Sequence, residues 1–171
     1  MTFIPSRPTR RRCSPLVAVA AAFLATAPVG CGPGFEAQAP AGFVDLGGTD
    51  VDDERYDWRA TNADGLVLAV RELPHEPSGE ASFWLAAIKK RMQQRVGYAL
   101  LEERAVRTAD GVAGTQLRFG HDEASGRPHL YYLSVFVTED AIFLVEAGGT
   151  KALMTQHDTE VEQMVTTFRT R

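Results

Sequence analysis

Two histidines in one short connection between predicted strands have the residue types needed for metal chemistry. His121 and His129 are equidistant from Ser125, so a hairpin that turns about Ser125 would place them opposite each other across the strand ladder. Asp122 adds a carboxylate, and imidazole with carboxylate oxygen is a ligand set for zinc or copper. The spacing matches no closed metal motif. We therefore expect a polar hairpin tip without metal or other cofactor, and keep His121, His129 and Asp122 as candidate ligands for the alternative, a small metal-binding protein or enzyme.

Nucleophilic catalysis needs a serine, cysteine or threonine beside a base and an orienting acid. None of the serines that follow the N-terminal segment lies in a G-x-S-x-G motif; these serines are Ser78, Ser82, Ser125 and Ser134. Gly148-Gly149-Thr150-Lys151 precedes a predicted helix but lacks the spacing of a phosphate-binding loop. The sequence shows no catalytic signature, and we predict that the protein is not an enzyme.

Residues 1–30 have the organisation of an export signal. Residues 1–12 hold four arginines and no acid, and Leu16–Val29 is an uncharged, mostly apolar run. A helix of that length extends about 21 Å, less than a hydrocarbon core of about 30 Å. We therefore predict a cleaved signal peptide over residues 1–30 in preference to a permanent membrane span.

The end of this segment, Ala27-Pro28-Val29-Gly30-Cys31, resembles the lipobox of bacterial lipoproteins. Gly30 and Cys31 fit the pattern, whereas Pro28 stands where leucine is usual. The resemblance implies cleavage between Gly30 and Cys31 and attachment to a membrane through lipid on Cys31. Cys31 would then be the only cysteine of the mature chain, and lipidation would account for it. Cleavage after Ala27, which gives a soluble secreted or periplasmic protein, and an uncleaved anchor remain alternatives.

Composition sets limits on the function. The chain has 171 residues, 44% of them hydrophobic, and two cysteines, which excludes a multi-domain enzyme, a polytopic membrane protein and a disulfide-stapled miniprotein. Loss of residues 1–30 leaves 14 basic and 22 acidic residues, a net charge of −8. Such a surface repels nucleic acid and anionic headgroups. We expect no nucleic-acid partner, and we expect membrane attachment through acyl chains rather than a basic patch.

The mature chain divides into a predicted flexible linker, residues 31–42, and a single domain, residues 43–171. Glycine and proline dominate the start of the linker. Alternating apolar residues predict a hairpin of Glu54–Thr61 and Gly65–Leu73, with the aromatic residues Tyr56 and Trp58 on one face. Four more strands are predicted, separated by short turns: Tyr98–Thr108, Val112–Gly120, Leu130–Thr138 and Ala141–Ala147.

Two amphipathic helices complete the pattern. The first is expected after Ser78-Gly79-Glu80, with Ser78 as its cap and Trp84, Ile88 and Met92 on one stripe. The second begins after the cap residue Thr150 and carries His157 on its apolar stripe. We expect Trp84 to insert into the core and Trp58, near a sheet edge, to be partly open.

The fold class is therefore α+β: a mostly antiparallel, twisted sheet, built from an N-terminal hairpin and a four-strand meander, packed with two amphipathic helices. The chain resembles the PsbP-like family in element order over Phe43–Arg171. Tyr56 and Trp58, the helix with Phe83 and Trp84, the Asp110-Gly111 turn and a closing helix after Gly148-Gly149-Thr150 carry this resemblance. A ketosteroid-isomerase-like cone is the alternative fold.

The PsbP-like resemblance implies a binding or accessory role and transfers no catalytic residue. Together with the export signal, it predicts a lipid-anchored, non-enzymatic module of the bacterial cell envelope. Its partner would be another envelope protein, a peptide or a small apolar ligand. The candidate binding surfaces are the crevice between the first helix and the sheet and the aromatic hairpin with Tyr56 and Trp58.

Overall fold

The computed structural model describes residues 32–47, 56–122 and 126–171, apart from the side chains of residues 95 and 96. These residues form two antiparallel sheets. The larger has the strand order β2-β3-β4-β8-β7-β6-β5, and the smaller pairs β1 with β9. The strands are β1 Phe35–Glu36, β2 Phe43–Asp45, β3 Trp58–Asn62, β4 Val67–Pro74, β5 Ala99–Arg107, β6 Ala113–Asp122, β7 Pro128–Val137, β8 Ala141–Thr150 and β9 Arg169–Thr170. The predicted α+β class is confirmed.

The four-strand meander, β5 to β8, is confirmed because short turns force each strand to return beside its predecessor. Its register places His121 opposite His129, as a hairpin centred on Ser125 requires. The β3–β4 hairpin joins the meander through β4, which pairs with β8 along its whole length. This pairing makes β8 a central strand, and its first seven residues are all buried.

One face of the large sheet carries the principal core. Helices α2, Lys151–Gln156, and α3, Asp158–Thr167, contribute side chains to this core together with residues from the sheet. Phe168 is fully buried and its ring lies near those of Phe35, Phe136 and Phe143, with centroid separations of 5.7–5.9 Å. Aromatic packing of this kind anchors both ends of the described chain.

The opposite face carries a second core cluster, covered in part by α1, Ala81–Arg91, and the π-helical turn Met92–Val96 that continues it. All six buried members of this cluster come from β6, β7 and β8; they are Leu117, Phe119, Leu133, Val135, Ile142 and Leu144. No residue of α1 is fully buried. The helix therefore rests on the sheet without being enclosed.

The helix termini agree with only part of the sequence prediction. Thr150 caps α2, since its hydroxyl accepts a hydrogen bond from the Leu153 amide. At α1 the cap is Glu80, without a side-chain cap bond, so the prediction for Ser78 is wrong. The expected single closing helix is divided into α2 and α3 at His157, whose backbone leaves helical geometry with φ −109° and ψ 26°.

The predicted flexible linker is wrong for its described part, residues 32–42. Phe35 is buried in the principal core, and Ala37 and Ala39 pack against it. Backbone pairing of Phe35 with Thr170 and a hydrogen bond from the Arg171 amide to the Gly34 carbonyl fix the segment. The ordered domain therefore begins by Gly32, ahead of the predicted Phe43, because one aromatic side chain supplies the burial that the glycines and prolines lack.

Within the described ranges, no helix combines the length and hydropathy needed to span a bilayer. The predicted signal peptide, residues 1–30, and the lipidation site Cys31 lie outside the described residues.

Candidate functional site

A cleft of about 360 Å³ lies between α1 and the sheet face that the helix partly covers. Its lining is mostly apolar, with Arg71 and Arg91 as the charged members. A volume of this size is at the lower end of the range typical of small-molecule sites. The lining residues are Arg71, Leu73, Trp84, Ala87, Ile88, Arg91, Met92, Tyr131, Leu133, Ile142 and Leu144.

Local sequence explains why the helix stands over this cleft. Trp84, Ile88 and Met92 follow one another at intervals of four residues and point to the same side of the helix. Gly97 ends the π-helical turn with φ 78°, a left-handed conformation that glycine adopts without strain, and the chain then enters β5. Trp84, Ile88 and Met92 therefore pack, partly buried, against the second core cluster.

His75 fixes the start of α1. Its Nδ1 lies 2.8 Å from the Thr138 carbonyl oxygen, and its Nε2 lies 2.9 Å from the Gly79 amide nitrogen, which donates to it. The imidazole also contacts the Trp84 ring edge-on at 6.0 Å. This histidine therefore links the loop before α1 to the turn between β7 and β8.

A polar recess of about 290 Å³ adjoins the cleft at Tyr131. In the strand ladder, Ala69 lies between Arg59 on one side and Glu146 on the other. Adjacent strands are about 4.8 Å apart, so the backbone positions of Arg59 and Glu146 are about 9.6 Å from each other. Only the methyl group of Ala69 lies between their side chains. The lining residues are Tyr56, Arg59, Val67, Ala69, Tyr131, Glu146 and Gly148.

Glu146 is a buried carboxylate, 3% exposed, with partners on both oxygens. Arg71 donates from Nε and lies in ion-pair contact through Nη2, both to Glu146 Oε1, while the Tyr131 hydroxyl donates to Oε2. The Arg71 guanidinium also lies over the Tyr56 ring, 5.7 Å from its centroid. A buried charge is tolerated when it is paired and hydrogen-bonded in this way.

The electrostatics of this group favour binding over proton transfer. Burial, and then the neighbouring Glu146 carboxylate, raise the pKa of the Tyr131 hydroxyl well above its usual range. Burial opposes the charge of Arg71, but Glu146 outweighs it and raises the pKa of the guanidinium. Tyr131 therefore stays protonated and Arg71 stays charged at neutral pH. Because both oxygens of Glu146 accept hydrogen bonds, this carboxylate is not poised as a general base.

Two buried nitrogen atoms of lining residues have no hydrogen-bond partner among the described residues: Arg59 Nε, and Trp84 Nε1, which lies beside Gly79. Leaving such a donor unsatisfied costs about 1–3 kcal/mol. The residues around the site thus carry two donors that the described part of the protein leaves unsatisfied.

The predicted aromatic surface is divided between two environments. Tyr56 lines the recess and remains half-buried. Trp58 is 8% exposed, belongs to the principal core and donates from Nε1 to Asp45 Oδ2 at 2.9 Å. The expectation that the Trp58 ring is partly open is wrong, because the ring packs into the principal core and lies beside Asp45 and Gly47 at the end of β2.

His121 and His129 pair with each other at the end of β6 and the start of β7. His121 is exposed and its ring lies 5.1 Å from that of Tyr98, while His129 is half-buried. Asp122 pairs with Pro128 in the ladder. Among the described residues no group of three or more histidine, cysteine, aspartate or glutamate side chains is arranged to hold a metal ion. Residues 123–125 lie outside the described part of this hairpin.

Sequence reasoning named the helix-to-sheet crevice but missed Arg71, Tyr131 and Glu146. One signal was available: Glu146 is the single charged residue of β8, a strand that is otherwise apolar or small. A lone charge in a central strand must find a partner on a neighbouring strand. Which strand supplies that partner depends on the pairing of β4 with β8, and local sequence does not specify it.

No protein-family model matches the chain, and no curated protein matches it in sequence. The solved structures that share its architecture include the following two. Cyanobacterial PsbP (CyanoP) from Synechocystis sp. PCC 6803 is 15% identical with a TM-score of 0.53, over 81% of this chain and 87% of that one. LpqN, involved in cell envelope biogenesis of Mycobacterium tuberculosis, is 12% identical with a TM-score of 0.56, over 79% of this chain and 83% of that one. The domain has a PsbP-like fold.

Proposed function

We propose that the protein is an exported, lipid-anchored, non-enzymatic module of the cell envelope that binds a small amphipathic molecule between α1 and the sheet. The observation that carries the proposal is the apolar cleft of about 360 Å³, which adjoins a recess with buried polar groups. An apolar body with a few placed polar groups is the usual composition of a ligand site.

A binding role is favoured over catalysis by the state of the polar groups. Glu146 and Tyr131 hydrogen-bond to each other, and Arg71 neutralises the carboxylate. The described lining residues include no nucleophile beside a free base. The names of the two structural neighbours, CyanoP and LpqN, are not those of enzymes, and LpqN is described as an envelope biogenesis protein.

Lipid anchoring is supported by Gly30-Cys31 at the end of an apolar export segment and by the absence of any other cysteine after residue 13. Mass spectrometry of the protein purified from membranes tests it. We expect a mature chain that starts at Cys31 and carries acyl chains. A chain that begins at Pro28, or that retains Met1, would contradict the proposal.

Ligand binding is tested with the fluorescent apolar probe N-phenyl-1-naphthylamine. Ala87 and Ala86 are adjacent, exposed residues of α1, but only Ala87 lines the cleft. We expect the probe to bind the wild-type protein and Ala87→Phe to weaken its affinity at least about ten-fold, a loss of about 1.4 kcal/mol. Ala86→Phe is the matched control and should bind as the wild type does. Equal affinities of the two variants would reject the cleft as the site.

The register of His121 with His129 supports a second candidate, a metal-binding protein. Metal analysis of the mature protein, compared with the double variant His121→Ala/His129→Ala, tests it. Stoichiometric zinc or copper that the double variant loses would favour this second function.

A further inference from the structure

We infer that the ligand of the proposed site is a single-chain anionic amphiphile, a fatty-acid carboxylate whose chain lies under α1 and whose headgroup lies in the recess beside Arg59. The inference rests on the proposed function and specifies its ligand. It is drawn from the charges that line the cleft and recess, from an arginine without a carboxylate partner among the described residues, and from the size of the two spaces.

The lining charges are predominantly basic. Across the described lining of both spaces the charged residues are Arg59, Arg71 and Arg91 against Glu146. The whole chain, by contrast, has a net charge of −4. A basic lining in an acidic protein attracts an anion locally while the rest of the surface repels it.

The hydrogen bonds and ion pairs of the described residues indicate Arg59 as the arginine that would bind the anion. Arg71 is directed at Glu146, so its charge is largely balanced within the protein. Arg59 has no carboxylate partner among the described residues, and its Nε is buried without a hydrogen bond. A guanidinium presents parallel N–H donors that match the two oxygens of a carboxylate. A carboxylate headgroup above Ala69 would balance the charge of the Arg59 guanidinium.

The same arrangement disfavours other headgroups. A cationic headgroup would approach Arg59 and Arg71, while both oxygens of Glu146 are already occupied. A neutral headgroup would leave the Arg59 charge without a counter-ion. The volumes, about 360 Å³ for the cleft and about 290 Å³ for the recess, suit one chain and one small headgroup.

Displacement of N-phenyl-1-naphthylamine from the mature domain by three twelve-carbon amphiphiles tests the inference. Dodecanoate, dodecanol and dodecyltrimethylammonium share a chain and differ in headgroup charge, and all are used below their micelle-forming concentrations. We expect dodecanoate to displace the probe at a concentration at least about ten-fold lower than dodecanol, and dodecyltrimethylammonium to be the weakest. Added salt should reduce the preference for dodecanoate.

Three arginine variants assign the preference to its residue. Arg59→Gln should bind the probe normally and lose the preference for dodecanoate, whereas Arg59→Lys, which keeps the charge, should retain most of it. Arg169→Gln removes one exposed arginine on β9, outside the cleft and recess, and should behave as the wild type. Equal displacement by dodecanoate and dodecanol, or a preference unchanged in Arg59→Gln, would overturn the inference while leaving the cleft intact. Failure of the probe to bind the wild type would instead reject the proposed function itself.

Discussion

At the scale of single residues, the hydroxyl of Tyr131 sits at the junction of cleft and recess, where it donates to a carboxylate that is 3% exposed. Hydrogen bonds to charged groups contribute about 1.5–3 kcal/mol, more than those between neutral partners. Tyr131→Phe keeps the ring and removes only this donor. We therefore expect a loss of about 1.5–3 kcal/mol in the free energy of unfolding at neutral pH, measured by urea denaturation.

The same variant makes a prediction about pH. Burial and Glu146 raise the pKa of Tyr131 above its ordinary value of 10.0. Well below pH 10, up to about pH 9, the residue is protonated in both folded and unfolded chains, and its contribution is complete. At higher pH the tyrosine ionises in the unfolded chain before it does in the folded one. The free energy of unfolding of the wild type therefore falls by up to about 1.4 kcal/mol per pH unit. The stability difference between wild type and Tyr131→Phe should thus shrink between about pH 9 and about pH 11. A constant difference would show that the hydroxyl is not buried against Glu146.

The two tryptophans exchange the roles that their sequence positions indicate. Trp58 is 8% exposed in the principal core, whereas Trp84 lies half-buried over the cleft. Trp58→Ala should cost about 3–5 kcal/mol, as large-to-small core substitutions do, and it also leaves Asp45 without its indole partner. Trp84→Ala should cost clearly less, about 1–2 kcal/mol, because less surface is buried. Equilibrium denaturation compares them, and a larger loss at Trp84 would reverse this assignment.

At the scale of elements, the N-terminal segment shows what periodicity predicts and what it misses. The meander was predictable because Ala109-Asp110-Gly111 and Glu139-Asp140 are short turn sequences that reverse the chain between neighbouring strands. β1 was not predictable, because Phe35 is a single large apolar residue near glycines and prolines and belongs to no alternating apolar pattern. Its partner β9 is distant in the chain, at Arg169–Thr170. The charged residues beside the cleft were not predicted because they also depend on a pairing of strands distant in the chain, that of β4 with β8.

The importance of β1 is tested by substitution. Phe35 is 3% exposed and packs against Phe143 and Phe168, so Phe35→Ala should lower the free energy of unfolding by about 3–5 kcal/mol. Glu36→Ala, at the next position, removes only an exposed ion pair with Arg171 and should cost less than about 1 kcal/mol. Thermal and urea denaturation measure both. A chain starting at Gly42 should show the same loss as Phe35→Ala or a greater one, and unchanged stability would restore the linker interpretation.

At the scale of the whole molecule, the ordered start of the domain constrains how a lipidated chain sits on a membrane. Gly32 follows Cys31 directly, and Phe35 is already fixed in the core. Four residues extend at most about 14 Å, so acyl chains on Cys31 would lie close to the β1–β9 ladder. The turn at Ala109 is near this ladder, since its amide donates to the Phe168 carbonyl. The end of β4 is also near this ladder, since Glu72 accepts a hydrogen bond from the Gly34 amide. Ala63 lies in the turn before the start of β4, and the eight residues of this strand extend about 26 Å.

We therefore predict that the lipidated protein holds the Ala109 end of the domain against the bilayer. Lipidation blocks the thiol of Cys31, so Ala109→Cys and Ala63→Cys each supply the one free thiol of the mature chain for a bimane label. On vesicles with spin-labelled headgroups, the label at position 109 should be quenched more strongly than the label at position 63. Insertion of a flexible glycine-serine spacer between Cys31 and Gly32 should abolish the difference, because the domain could then reorient. Equal quenching without the spacer would show that the short connection does not orient the domain.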